Sequence, residues 1–214
     1  MSHKVMLRSG LRDGRRYGIS AVRPLRHLGP SQITSESGRE ATIAYDASYQ
    51  GESTGEPRHL ENPSVRTDDV SAVIDYLTTL PYVDRDRIGA MGICAGAGYT
   101  ANAAINDPRI KAVGTVSAVN FGQMVRNGFT NTVKSADAMP LLAMGAAART
   151  AEANGAAIER MALAPLKKED APSAELEEAW EYYHTPRAQY PTAPGWAPAR
   201  CLTQIIPYEA YTNA

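Results

Sequence analysis

Cys94 has the most reactive setting in the sequence. It follows the apolar run RIGAMGI and stands between Gly92 and Gly96, with the alanine-rich stretch AGAGYTANAAIND after it. Glycines two positions before and after a residue leave room for a strained turn from a strand into a helix. At such a turn the first helical N–H groups favour a thiolate, and the N–H of Ala95 can hold a developing oxyanion. The spacing therefore predicts a nucleophilic cysteine; the alternative is a buried thiol, because free cysteine is among the most buried residue types.

Few side chains are available to activate this thiol. A general base must reach it within hydrogen-bond distance, and His184 is the only histidine that follows Cys94 in the chain. His184 is the candidate base, with packing inside a helical region as its alternative role. His59 lies in a Gly/Pro-rich loop, where a solvated role is expected, and Asp46 follows a strand and is expected to shape a loop. The sequence leaves the base unassigned.

Three apolar segments, near residues 42–48, 87–93 and 112–119, predict buried strands. Asn62 and Pro63 predict the start of a helix between the first two strands. One face of that helix carries apolar residues at i, i+3, i+4 and i+7: Val70, Val73, Ile74 and Leu77. The small residues after Cys94 predict a second helix. The order βαβαβ predicts an α/β core over residues 42–119, with a parallel sheet and right-handed crossovers.

The flanking regions differ from this core. Residues 120–214 favour helix, and the segment after Asp170 carries an apolar face of Leu176, Ala179, Trp180 and Tyr183, so we expect a helical cap. Aromatic residues available to a pocket under the cap, or to its packing, are Tyr49, Trp180, Tyr183 and Trp196. Residues 1–41 lack a strand or helix period, and their first forty residues carry eight Lys/Arg against three acids. We expect this basic segment to be poorly ordered; a flexible arm and an organelle transit peptide are the two interpretations.

The composition excludes several classes of protein. Of the 214 residues 43% are hydrophobic and 21% charged, with a net charge of −1, which is typical of a globular protein without a nucleic-acid partner. Neither a membrane-length apolar run nor a secretory signal is found, so a cytoplasmic location without membrane partners is expected. Two distant cysteines and four scattered histidines predict neither disulfide nor metal, and no cofactor is expected. The CAGAG stretch lacks the Lys-Ser/Thr of a phosphate-binding loop.

Three segments carry a family resemblance: DASYQGESTGEP, DRDRIGAMGICAGAGYT and DPRIKAVGTVSA. In order and spacing, from about Thr42 to Ala118, they resemble α/β-hydrolases of the dienelactone-hydrolase-like group. The resemblance implies a thiol nucleophile at Cys94 and an oxyanion donor at Ala95. It also implies a small-molecule acyl substrate, an ester, lactone or thioester, that is cleaved through an acyl-enzyme.

The chain departs from that family pattern at both ends. The family order is nucleophile, acid, then histidine, on loops after later strands, and the chain supplies no such late pair. A strand with a Gly-rich loop is also expected before Thr42, placed in the sheet between the strands near 42–48 and 87–93, unless residues 17–22 fill that place. These departures suggest a truncated or frame-disrupted member of the family.

Two functions remain open at this stage. The first is a hydrolase that works through Cys94, impaired alone or completed by another chain, for example in a homodimer. The second is a non-catalytic remnant that binds a ligand or partner through the former pocket.

Overall fold

The computed structural model describes residues 5–11, 32–34, 40–128, 130–171, 173–191 and 193–210. Its main sheet has five strands in the order β2-β3-β1-β4-β5. These strands are β1 (Val5–Leu11), β2 (Gln32–Thr34), β3 (Glu40–Ala44), β4 (Val83–Ile93) and β5 (Ile110–Val116). The three strands predicted from apolar runs are thus present as β3, β4 and β5.

The sheet is mixed, whereas the sequence predicts a parallel one. β4 and β5 pair in parallel, but β1 lies between β3 and β4 and is antiparallel to both. It follows that β3, β4 and β5 run in one direction and that their carboxyl ends lie at one edge of the sheet. The loop after β3 and the turn after β4 are therefore neighbours.

The basic segment 1–41 supplies β1 and β2. Its weak period predicts neither strand, and the gap expected between β3 and β4 is filled by β1. β1 forms because it has ladder partners on both sides, from Met6 to Gly10 against β3 and from Val5 to Leu11 against β4, and such pairing overrides a weak local preference. Residues 17–22, the other candidate for this position, lie outside the described residues.

Helix α1 (Pro63–Thr79) is the predicted helix between β3 and β4. The Asn62 side chain caps it by accepting a hydrogen bond from the backbone N–H of Ser64, and Pro63 opens the first turn. The four residues of the predicted apolar face are at most 1% exposed. They pack with Ile43, Tyr45, Val83 and Ile88 in the main hydrophobic core, between the helix and the sheet.

The region after β5, residues 121–210, is mainly helical, as the sequence predicts, and is called the cap region below. Its helices are α3 (Phe121–Asn127), α4 (Met139–Ala153), α5 (Ala174–His184) and α6 (Leu202–Ile205). A two-stranded antiparallel ladder joins β6 (Arg160–Ala162) to β7 (Trp196–Pro198). The apolar face predicted for α5 is confirmed: its residues are half-buried, while the glutamates between them are exposed. Among the described residues, no helix combines the length and the apolar character needed to cross a membrane.

Candidate active site

Cys94 lies on the turn between β4 and helix α2 (Ala95–Asn106). Its backbone has φ 57° and ψ −126°, in a region that costs a residue other than glycine about 1–3 kcal/mol. Surrounding hydrogen bonds hold it there. Its N–H donates to the carbonyl of Val116 at 3.0 Å, and its carbonyl accepts from Ala97 at 3.0 Å and from Val119 at 3.2 Å. The strand-to-helix turn predicted from the glycine spacing is therefore present, and it is bonded to the carboxyl end of β5, to the chain after it and to the first turn of α2.

The glycines beside Cys94 allow α2 to approach the sheet. A Cβ atom on Gly92 would overlap the carbonyl oxygen of Gly96 and lie 2.6 Å from the Cα of Ala97. A Cβ atom on Gly98 would overlap the carbonyl oxygen of Val119. All of these neighbours are backbone atoms, which cannot rotate away. The first turn of α2 can therefore pack this closely against β4 and the chain after β5 only because Gly92 and Gly98 have no side chain.

Ala95 is the first residue of α2 and is 2% exposed. Its N–H belongs to the first turn of the helix, where backbone donors lack intrahelical partners. Its side chain belongs to a second hydrophobic cluster, under the cap, with Leu60, Tyr99, Phe121, Ala197, Cys201 and Ile205. The loop before α1, helix α2 and the region after β5 thus meet beside Cys94.

A buried ionic network holds the loop before α1 against α2. Glu61 is 0% exposed and Arg66 is 3% exposed, and a guanidinium nitrogen of Arg66 lies 3.0 Å from the Glu61 carboxylate. The Tyr99 hydroxyl, on α2, donates to the same carboxylate at 2.7 Å. Burial is the main cause that raises the pKa of the Tyr99 phenol, with the Glu61 charge adding to it. Buried charges persist only when paired and hydrogen-bonded, and both conditions are met here.

Further bonds tie the beginning of the same loop to α1. Arg66 donates to the backbone carbonyls of Ser48 at 2.7 Å and Leu60 at 2.8 Å. Asp69 accepts from the N–H of Ser48 at 2.9 Å and from its hydroxyl at 2.6 Å. The Glu61 N–H donates to the sulfur of Cys201, whose thiol pKa is raised to about 11, mainly by burial. Cys201 is thus a buried, neutral thiol.

Sequence reasoning misses this network, yet one signal for it exists. Arg66 and Asp69 fall on the same helical stripe as the apolar residues of α1, at positions that a polar surface would not occupy. Charged residues on a buried stripe need partners, which Glu61 and Ser48 supply.

His184, the candidate base, is placed at the end of α5. Its ring stacks near Trp180, with centroids 6.3 Å apart. Its Cε1 lies 3.3 Å from the position that a Cβ atom on Gly195 would occupy. Its Nε2 is buried without a hydrogen-bond partner among the described residues. These contacts are with the cap region and not with Cys94, so they match the packing role and leave the base unassigned.

Tyr183, one residue earlier, interacts electrostatically with Cys94. Burial raises the pKa of its phenol, and the charge of a Cys94 thiolate raises it further. The cap helix α5 thus brings a hydroxyl into electrostatic range of the thiol.

The two other candidates from the sequence lie in the loop after β3. Asp46 shapes the loop, as expected: its carboxylate accepts from the N–H of Glu52 at 3.0 Å, and its carbonyl accepts from the hydroxyl of Ser53 at 2.5 Å. His59 has a left-handed backbone, with φ 63°, and its ring meets the ring of Trp196 edge-on at 4.7 Å. Within the described part of the chain, no three His, Cys, Asp or Glu residues come together as a metal site.

Known proteins with a similar sequence or fold are found by comparison. Residues 50–130 match the model of the prolyl oligopeptidase family. The chain is 69% identical to the uncharacterized protein YcjY of Escherichia coli K12 over 173 residues. The aligned residues make up 81% of this chain and 56% of YcjY. The fold matches the crystal structure of hypothetical protein PA2218 from Pseudomonas aeruginosa with a TM-score of 0.73 and 28% identity, over 81% of this chain and 55% of that one. It also matches the α/β hydrolase GrgF from Penicillium sp. sh18, with a TM-score of 0.59 and 18% identity, over 78% of this chain and 54% of GrgF.

The chain thus has the fold of the α/β-hydrolases. It spans about half the length of the relatives it matches, 56% of YcjY and 41% of PA2218 in the sequence comparisons. A shorter stretch, 71 residues or 33% of the chain, is 39% identical to the thiohydrolase apmlB of Arthrinium phaeospermum and covers 23% of it. β4, the elbow at Cys94 and α2 lie inside the part matched by the family model.

Proposed function

We propose that Cys94 is the nucleophile of an acyl-transfer reaction in which an ester, lactone or thioester is hydrolysed. The observation that carries the proposal is the backbone of Cys94, which is held at positive φ on the strand-to-helix turn with the N-terminus of α2 behind it. A nucleophile elbow requires this geometry, since it exposes the side chain and directs helical N–H groups at the reacting carbonyl.

The reaction has two steps. The Cys94 thiolate attacks the carbonyl carbon, and the N–H of Ala95 stabilises the resulting oxyanion. The bond to the leaving group then breaks, the alkoxide or thiolate leaves with a proton, and the acyl group stays on sulfur as a thioester. Water attacks this thioester, which releases the carboxylic acid and regenerates the thiol.

Two comparisons support this reaction class. The matching family model is that of a peptidase family. A relative that aligns with one third of the chain is named a thiohydrolase. Both classes attack a carbonyl carbon through an acyl intermediate. We also propose that the chain is a member of the dienelactone-hydrolase-like group, from the resemblance of residues 46–57, 84–100 and 107–118.

Acylation of the protein tests the proposal. The purified chain is mixed with p-nitrophenyl butyrate, p-nitrophenolate is followed by absorbance, and the intact mass is measured. We expect a burst of product and a butyryl adduct that peptide mapping places on Cys94. Cys94→Ala should abolish both signals, and Cys201→Ala, the matched control, should keep them. A folded wild-type chain that gives neither burst nor adduct contradicts the proposal.

The contacts of His184 favour a second candidate, a ligand-binding protein without turnover. The contacts that the structure gives for His184 are with Trp180 and the Gly195 backbone, which match a packing role and not that of a base. This alternative predicts that an acyl compound binds reversibly and that Cys94→Ala leaves its dissociation constant unchanged.

A further inference from the structure

Trp196 is the centre of a polar cluster on the cap side of the cysteine. The guanidinium carbon of Arg160 lies 4.3 Å over its ring, and the ring of His59 meets it edge-on. The three residues come from β6, β7 and the loop before α1. The β6–β7 ladder pairs Ala162 with Trp196 and Arg160 with Pro198, so backbone hydrogen bonds hold Arg160 near the indole. We call Arg58, His59, Arg160 and Trp196 the cationic rim.

The positive charge of the cationic rim is not neutralised within the described residues. Arg160 is exposed and has no ion pair there. Arg58 directs its side-chain N–H groups to the backbone carbonyls of Ser53 and of Gly51, the latter at 2.6 Å, and not to a carboxylate. The Glu56 carboxylate accepts the backbone N–H of Arg58 at 3.0 Å. Among the described residues, neither guanidinium group is therefore paired with a carboxylate.

His59 adds an unused hydrogen-bonding atom to the cationic rim. Its Nδ1 is buried and has no partner among the described residues. Burial, Arg58 and Arg160 lower the pKa of its imidazole, so the ring is neutral at pH 7 and offers one N–H donor. A buried polar atom without a partner is costly, and a ligand oxygen would remove that cost.

The cationic rim adjoins the elbow through one hydrophobic cluster. Leu60, Ala197 and Ala95 belong to that cluster, and they are the chain neighbours of His59, Trp196 and Cys94. Met161 and Leu163, which follow Arg160, pack against the same cluster. The chain neighbours of Cys94 and of the rim residues therefore pack into one cluster, which joins the rim and the turn at Cys94 in the fold.

We propose that the cationic rim binds an oxyanion of the substrate, a carboxylate or a phosphate, with Arg160 as the main donor. The inference rests on the proposed function, because it concerns the substrate of the same site. The carboxylate would belong to the acyl group, and the phosphate to a thiol leaving group such as coenzyme A.

Paired substrates distinguish the two sources. p-Nitrophenyl hemisuccinate is compared with p-nitrophenyl butyrate for an anionic acyl group, and butyryl-coenzyme A with butyryl-N-acetylcysteamine for an anionic leaving group. We expect one of the anionic members to have the higher kcat/KM. Arg160→Ala should lower kcat/KM for that member about tenfold, the worth of one charge-assisted hydrogen bond, and leave its neutral counterpart unchanged. Arg149→Ala, at another exposed arginine of the cap region, is the matched control and should change neither.

A binding measurement keeps the test independent of turnover. In the double variant Cys94→Ala, Trp180→Phe, the remaining tryptophan is Trp196, and its fluorescence is titrated with succinate and with coenzyme A. We expect saturable quenching by one of them, weakened by salt and lost with Arg160→Ala. Quenching without turnover would support the cationic rim and contradict the role of Cys94. If charged and neutral substrates are turned over equally and no quenching is seen, the cationic rim does not bind an oxyanion, whereas the proposed function of Cys94 stands.

Discussion

Replacing Gly92 with alanine tests how tightly the elbow is packed. The new methyl group would overlap the carbonyl of Gly96 and lie 2.6 Å from the Cα of Ala97. Carbon atoms pack at about 3.5–4.0 Å, so α2 must move from the sheet by about 1 Å. Backbone atoms cannot rotate away, and overpacking of this kind costs about 1–3 kcal/mol. For a chain of this size each kcal/mol lowers Tm by about 2–4 °C, so we expect Gly92→Ala to lower Tm by about 2–12 °C.

Gly114→Ala is the matched control, because its methyl group would meet only the flexible Met91 side chain, at 3.3 Å. Its stability should be unchanged or up to about 1 kcal/mol higher, since alanine restricts the unfolded chain. Calorimetry gives Tm, and the rate at which iodoacetamide alkylates Cys94 reports the geometry of the turn. We expect that rate to change in Gly92→Ala and not in Gly114→Ala. If the two variants have the same Tm and the same alkylation rate, the packing argument for the elbow is wrong.

Three further substitutions test other parts of the molecule. Tyr99→Phe removes the donor to the buried Glu61 carboxylate and should cost about 1–3 kcal/mol in urea unfolding; equal stability with the exposed control Tyr182→Phe would contradict it. Cys201→Ala tests pH dependence: the folded pKa of about 11 exceeds the unfolded value of about 8.5, so the thiol stabilises fully below that value and loses its contribution as pH rises through 11. Urea unfolding at a series of pH values should show that, between pH 8.5 and 11, the alanine variant loses up to about 3 kcal/mol less free energy of unfolding than the wild type. Equal losses in the two proteins would contradict this prediction. Asn62→Ala removes the cap of α1 and should cost about 0.5–2 kcal/mol by the same method; no loss would mean that the cap contributes nothing.

The parts of the fold that could be predicted are those set by neighbours in the chain. The cap at Asn62 and the apolar spacing from Val70 to Leu77 define α1 within the sequence itself. The elbow follows from Gly92 and Gly96 in the same way, since both lie within two residues of Cys94. These features need no distant partner.

The parts that could not be predicted depend on distant partners. β1 becomes a strand because two ladders enclose it, and its own residues give no period. The Glu61 network joins residues 38 positions apart at Tyr99 and 140 positions apart at Cys201, so no local pattern predicts it. The role of His184 also depends on where α5 lies relative to β4, which periodicity does not determine.

β5 pairs with β4 and has no second neighbour among the described strands. Residues from Lys111 to Val116 are all exposed, with Val113 at 43% and Val116 at 48%. Alternate backbone amides of such a strand point away from its ladder, so deuterium should replace them rapidly while their neighbours exchange slowly. The carbonyl of Val116 accepts the N–H of Cys94. The same outer strand therefore also determines how slowly the amide hydrogen of Cys94 exchanges with solvent. The exchange lifetime of that single amide would thus report the opening of the sheet edge beside Cys94.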